Sequence, residues 1–285
     1  MLYEAKPRIQ KEMMTLREVK QLLRQYDIRP SKRLGQNFLI DGNVQRKIIN
    51  AVDLDKEDVV LEIGPGMGAL TEDLCKRAKN VVAVEKDKRL YEILLKKRKI
   101  SNLELIQGDI LKYDLSKYSN LTVVGNLPYY ISSPVLVRLL EARASVKAAY
   151  ITVQREFAER LVARPGTKVY GSISCFTQFY ALPKILFSIK KGSFYPAPKI
   201  DSCFLMVALR ERGLYLTDEE KLFKIIRTCF EKRRKTILNS LYSSGLFGPK
   251  EEVASHLKKA GISQSRRPET VSLKEFVDLT NLILA

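Results

Sequence analysis

Three glycines, two acids and a neutral tetrapeptide stand where a nucleotide-like ligand and a base could meet. Gly64, Gly66 and Gly68 form GPGMG, directly after the apolar run VVLEI (59–63). Glycine at such a place permits a tight turn and lets a ligand approach the backbone. Glu85 closes the next apolar run, 21 residues after Gly64, and an acid at about that spacing bonds ribose hydroxyls. Asp109 follows the third run in the same way and could accept from an adenine amino group. Taken alone, the glycine pattern fits an NAD-binding turn equally well, or a strand–helix turn with no ligand.

The stretch VVGNLPYYIS (123–132) separates these cases. From Tyr118 to Val137 there is no charged side chain, although 29% of the chain is Asp, Glu, Lys or Arg. Hydride transfer gains nothing specific from Asn126, Leu127, Pro128 and Tyr129 beyond a strand end. An amino group on a base does. Its lone pair is delocalised into the ring, so it must be held and aimed. The side-chain carbonyl of Asn126 and a backbone carbonyl just before or at Pro128 can each accept one N–H, and proline removes a competing donor. Tyr129 can stack on the base, worth roughly 1–3 kcal/mol. Orientation of this kind supplies up to about 7–11 kcal/mol of a barrier. Neutral acceptors avoid both repulsion of a cationic donor and the cost of burying an unpaired acid. A β-turn lined by core aromatics is the plainer reading of the same residues.

Strand ends and helix starts must position these groups. Runs at 59–63, 81–85, 103–107, 121–125 and 148–154 read as strands, with helices over 69–77, 88–97, from Pro134, and over 155–162. That alternation predicts a mostly parallel sheet covered on both faces. A helix at 172–180 and strands at 183–189 and 202–209 complete the sheet, and the period after 212 is helical. We therefore expect an N-terminal helical extension (1–30), a Rossmann-like domain (31–212) and a small all-helical domain (213–285). Residues 13–27 carry helical spacing, a loop is expected over 31–41, and 44–52 reads as a second helix.

Composition narrows the partner. The net charge is +18, a field that favours polyanions, nucleic acid first. Gly125, Asn126, Pro128 and Pro134 break the apolar stretch, which excludes a membrane span there. One histidine and four dispersed cysteines argue against histidine-based nucleophilic catalysis, a metal site or a disulfide framework. The polar, charged N-terminus lacks the apolar core of a signal peptide, and a cytoplasmic location is expected.

RLGQNFLID, VLEIGPGMGALT, VVAVEKD, QGDIL, VVGNLPYYISSP, RPGTKVYGSIS, FYPAPKIDS and FEKRRKTILNSL resemble, in order, the small-subunit rRNA adenine dimethyltransferases, the KsgA group. The resemblance runs from about residue 32 to the C-terminus. It implies a class I methyltransferase fold, S-adenosylmethionine as donor, and dimethylation of two adjacent adenines near the 3′ end of 16S rRNA during small-subunit biogenesis. It places Asn37, Leu39, Gly64, Glu85 and Asp109 on the donor, and Asn126 between donor and target. It stacks the target base between Tyr129 and Phe194, after extrusion from its stack. The antibiotic-resistance methyltransferases of 23S rRNA and DNA-associated transcription factors of the same lineage share parts of the set, but LGQNFL and the PGTKVYG loop favour the KsgA group. A monomer acting on the pre-small subunit is the expectation. Lys32, Arg33, Arg164 and Lys168 flank the implied cleft. Arg227 and the run Lys232, Arg233, Arg234, Lys235, read as opening a helix, are expected to contact RNA.

Overall fold

A computed structural model describes residues 13–31, 33–97, 100–210, 218–232 and 234–284. Lys32, Arg233 and the expected domain boundary at 212/213 lie outside the described residues, as does the start of the extension.

The helices begin where short polar side chains can satisfy free backbone N–H groups. Thr15 and Glu18 form a reciprocal capping box at the head of α1 (Leu16–Gln25). The Asp41 carboxylate accepts from Asn43 N and Val44 N to open α2 (Gly42–Ala51). Between them runs a two-residue strand, β1 (Phe38–Leu39), inside the segment expected to be only a loop. It pairs antiparallel with β8 (Phe194–Tyr195), Leu39 opposite Phe194.

The alternation then proceeds as β2 (Val59–Ile63), α3 (Thr71–Arg77), β3 (Asn80–Glu85), α4 (Lys88–Lys97), β4 (Leu103–Gln107), β5 (Leu121–Asn126), α5 (Ser132–Glu141), β6 (Val146–Gln154), α6 (Arg155–Leu161), α7 (Ser172–Tyr180), β7 (Ala181–Ile189) and β9 (Ser202–Leu209). The main sheet has the order β4-β3-β2-β5-β6-β9-β7. Five strands are parallel, and β9 runs antiparallel to both β6 and β7. The twelve residues between β7 and β9 hold the β8 strand and no crossover helix, and the chain returns antiparallel beside β7. The order reverses between β2 and β5, and ligands bind beyond the carboxyl ends of strands at such a point.

α8 (Glu219–Glu231), α9 (Ile237–Tyr242), α10 (Lys250–Lys259) and α11 (Leu273–Leu284) follow. The buried side of these helices is continuous with the core under the sheet. Leu222, Phe223, Ile226 and Phe276 join the same buried cluster as Leu136, Leu139 and Phe179 beneath the sheet. Phe223 packs 4.9 Å from Phe176 and 5.4 Å from Phe179, centroid to centroid, and the Tyr180 hydroxyl donates to Glu219.

The basic run does not open a helix. Lys232 ends α8, Lys235 N donates to Lys232 O across a turn, and Thr236 caps α9. Thr236 can accept from Asn239 N, whereas four consecutive cations offer the first turn of a helix no acceptor and oppose its dipole. No helix among the described residues is long and apolar enough to cross a membrane.

Candidate functional site

The strand ends at the reversal point open into a cleft. Asn37, Leu39, Gly64, Glu85, Asp109, Asn126, Leu127, Pro128 and Tyr129 all line it. Nine residues read from the sequence thus meet in one place, contributed by β1 and the loop before it, four strand ends and the turn after β5.

The glycine turn is held from the side. Gly64 and Gly66 adopt φ values of +64° and +61°, where a Cβ is strained. Gly66 N donates to Glu85 Oε2 at 3.0 Å, and Asp87 N donates to Glu85 Oε1 at 2.8 Å. Burial pushes the Glu85 pKa up, against the pull of these backbone donors. A Cβ at Gly64 would meet nothing within 4 Å; a side chain there would enter the open cleft.

Asp109 is held differently. Its Oδ2 pairs with Lys86 Nζ at 2.7 Å and its Oδ1 accepts from Leu111 N. The Lys86 bond keeps its carboxyl below the usual range. Lys86 therefore stands in the cleft wall with its charge matched.

Glu62 is the residue that sequence reasoning passed over. It lies in β2 between Ala83 and Val124 of the flanking strands and is 2% exposed, yet it lines the cleft. Burial raises its pKa to about 8, with the nearby Thr71 hydroxyl pulling it down and Glu85 adding to the rise. Glu62 Oε2 has no hydrogen-bond partner among the described residues. A lone acid in an otherwise apolar strand, two positions before Gly64, was the available signal.

The NLPY segment is fixed on both sides. Gly125 is needed where β5 passes β2, because a Cβ would lie 3.0 Å from Ile63 O. Asn126 Nδ2 donates to Asn37 O at 2.8 Å, which orients the amide; its Oδ1 accepts no hydrogen bond among the described residues. Pro128 O accepts from Ile131 N and from the Ser132 hydroxyl. The backbone acceptor left open is thus Leu127 O, before the proline rather than at it. The Tyr129 hydroxyl shares a 2.7 Å hydrogen bond with Ser202 Oγ, which sets the ring's orientation. Tyr130, 53% exposed, stands at the mouth of the cleft.

Phe194 is not brought to the cleft wall. It is 2% exposed and belongs to the buried cluster of Leu39, Ile189 and Phe204, paired beside β1 in the ribbon. Of the cations, Arg33, Arg164, Lys168, Arg227, Arg234 and Lys235 are exposed. Lys232 instead bonds Ser243 O and Oγ at the end of α9. Among the described residues no cluster of His, Cys, Asp or Glu could hold a metal ion.

A family model described as ribosomal RNA adenine dimethylase matches residues 29–284. The chain is 41% identical to ribosomal RNA small subunit methyltransferase A of Pelotomaculum thermopropionicum, covering 93% of this chain and 95% of that one. It is 38% identical to the protein of the same name from Geobacillus thermodenitrificans, covering 96% and 98%. Among solved structures, a dimethyladenosine transferase from Plasmodium falciparum superposes with a TM-score of 0.74 at 28% identity, covering 85% of this chain and 95% of that one. The 23S rRNA methyltransferase ErmE gives 0.71 at 26% identity, covering 87% and 100%.

Proposed function

We propose a reaction from one premise: this chain belongs to the ribosomal RNA adenine dimethylase family. The protein transfers methyl groups from S-adenosylmethionine to the exocyclic amino nitrogen of adenines in small-subunit rRNA, two methyls to each of two adjacent bases near the 3′ end. It acts as a monomer on the pre-small subunit in the cytoplasm.

The cleft residues fit the donor. The open space at Gly64 would accept its amino-acid portion, Glu85 its ribose hydroxyls and Asp109 the amino group of its adenine, sharing that carboxylate with Lys86. The orphaned Glu62 Oε2 suits an ammonium group. Asn37 and Leu39 would close the opposite side. When bound, this cofactor supplies a methyl group on a positively charged sulfur.

The observation that carries the reading is the division of acceptors around Asn126. Its Nδ2 is spent on Asn37 O, and the Pro128 carbonyl on Ile131 and Ser132. Two neutral oxygens remain, Asn126 Oδ1 and Leu127 O. Each can accept one N–H of an amino group and so turn the nitrogen lone pair away from conjugation. Tyr129, its hydroxyl tied to Ser202, presents a ring face to the base. No side chain has to remove a proton before the nitrogen attacks; positioning does the work. Phe194 would take part in stacking only if the β1–β8 ribbon shifted.

Asn126→Ala tests this. It should reduce tritiated methyl incorporation at least about a hundredfold, the scale for losing a preorganised contact to the reacting group, while RNA affinity stays within a few-fold. Methylation at the normal rate would remove Asn126 from the mechanism. A protein that bound rRNA but never methylated it would be an assembly factor on the same fold.

A further inference from the structure

The N-terminal helix packs behind the wall of the cleft, and a single buried amide fastens the chain just before it. Gln45, on α2, is fully buried. A buried amide needs partners, and all of those bonding Gln45 are backbone groups. Its Oε1 accepts from Met14 N at 3.0 Å, and its Nε2 donates to Met14 O at 2.7 Å and to Leu39 O at 3.1 Å. Both polar backbone groups of Met14 are thus satisfied by one side chain, which also holds β1. Met14 and Leu39 both line the cleft.

Two further observations fix the same segment. A Cβ at Gly42 would lie 3.0 Å from the Met13 Cβ, tighter than ordinary contact, so the chain passes here because position 42 is bare. Immediately afterwards the Thr15–Glu18 capping box starts α1. Its buried Val19 and Leu23 pack with Phe38, Met67, Leu90 and Ile93, a cluster separate from the two cores of the sheet. Phe38, Met67 and Leu90 line the cleft as well. A helix of ten residues is marginal alone. What holds α1 in place is the wall of the cleft.

We propose that α1 buttresses the donor-binding site and that Gln45 is a positioning residue for it, so that donor binding and docking of α1 reinforce each other. This rests on the reading of the cleft as the donor site. The test uses the full chain with S-adenosylhomocysteine as probe. Gln45→Met keeps the side-chain volume and removes the three bonds. Gly42→Val displaces the same segment by crowding Met13 while leaving the Gln45 side chain in place. In both, the dissociation constant for S-adenosylhomocysteine and the KM for the donor should rise about five- to tenfold, within the usual range of coupling. The kcat at saturating donor and the KM for rRNA should not change. In the unaltered protein, S-adenosylhomocysteine should slow hydrogen exchange at backbone amides 14–25. Unchanged probe affinity in a folded variant, or no added protection of those amides, overturns the proposal. Failure of the unaltered protein to bind the probe would instead bring down the donor-site reading itself.

Discussion

Replacing Glu62 with Gln should make the empty protein more stable and the donor site worse. Burial raises the Glu62 pKa from 4.5 to about 8. The folded state therefore favours the neutral carboxyl. Its contribution is intact below pH 4.5 and is lost as the pH rises toward 8, because the unfolded chain ionises first. At pH 7 the gap is about two and a half units at about 1.4 kcal/mol each, a cost on the order of 3 kcal/mol. Glutamine has a similar shape and never ionises. Urea unfolding of Glu62→Gln against the unaltered protein should show a stability gain under about 1 kcal/mol at pH 5, growing to about 3 kcal/mol at pH 7. A gain that did not widen over this interval would mean that the carboxyl is not held neutral, and the reasoning fails.

The same residue links proton and ligand. If Glu62 accepts the donor's ammonium group, it must ionise to do so. Calorimetric titration with S-adenosylhomocysteine at pH 7, in buffers of different ionisation heat, should then report release of close to one proton. In Glu62→Gln the proton release should vanish and affinity should fall. Proton release that persisted in the variant would assign the linkage elsewhere.

Two other outcomes follow from the same geometry. Tyr129→Phe keeps the ring and loses only the Ser202 bond, so kcat/KM for rRNA should fall a few-fold at most; Tyr129→Ala removes a stacking face worth roughly 1–3 kcal/mol and should cost about 5- to 150-fold. Neutralising Arg234 and Lys235 together should flatten the salt dependence of rRNA affinity by about 0.7–0.9 per removed contact, and an unchanged slope would place that turn outside the RNA interface.

The parallel strands were legible because buried strands leave a plain mark. VVLEI and LTVVG are apolar runs cut off by glycine, and residues just beyond such ends converge by topology. That is why Gly64, Glu85, Asp109 and Asn126 could be read together as a site. The β1–β8 ribbon left no such mark, since two residues carry no period, and its partner lies about 155 positions away. Lys232 to Lys235 misled for the opposite reason. Lysine and arginine are good helix formers, so helical spacing was read through a turn that the Thr236 cap interrupts. Gln45 was illegible because nothing local distinguishes a helical glutamine that faces solvent from one that bonds a backbone 31 residues away.

The distribution of charge makes sense of a protein that must hold opposite ions side by side. The chain carries +18, yet the charged residues lining the cleft are Glu62, Glu85, Asp109 and Lys86, three acids to one base, and that base is already paired with Asp109. A surface field of this size attracts polyanions from solution, but salt screens it over about 8 Å at physiological ionic strength. Inside the cleft Lys86 is offset by Asp109 and Glu62 ionises only when a cation meets it, so no unpaired positive charge among the described lining residues would oppose a cationic donor. Where donor and base would meet, neither sign prevails, since Asn126, Leu127, Pro128 and Tyr129 are all neutral. A carboxylate at that point would need desolvating each time a base arrived, and a lysine would oppose the donor. Neutral oxygens, one of them on an amide oriented by Asn37, and a ring held by Ser202 would bind the amino group without either cost.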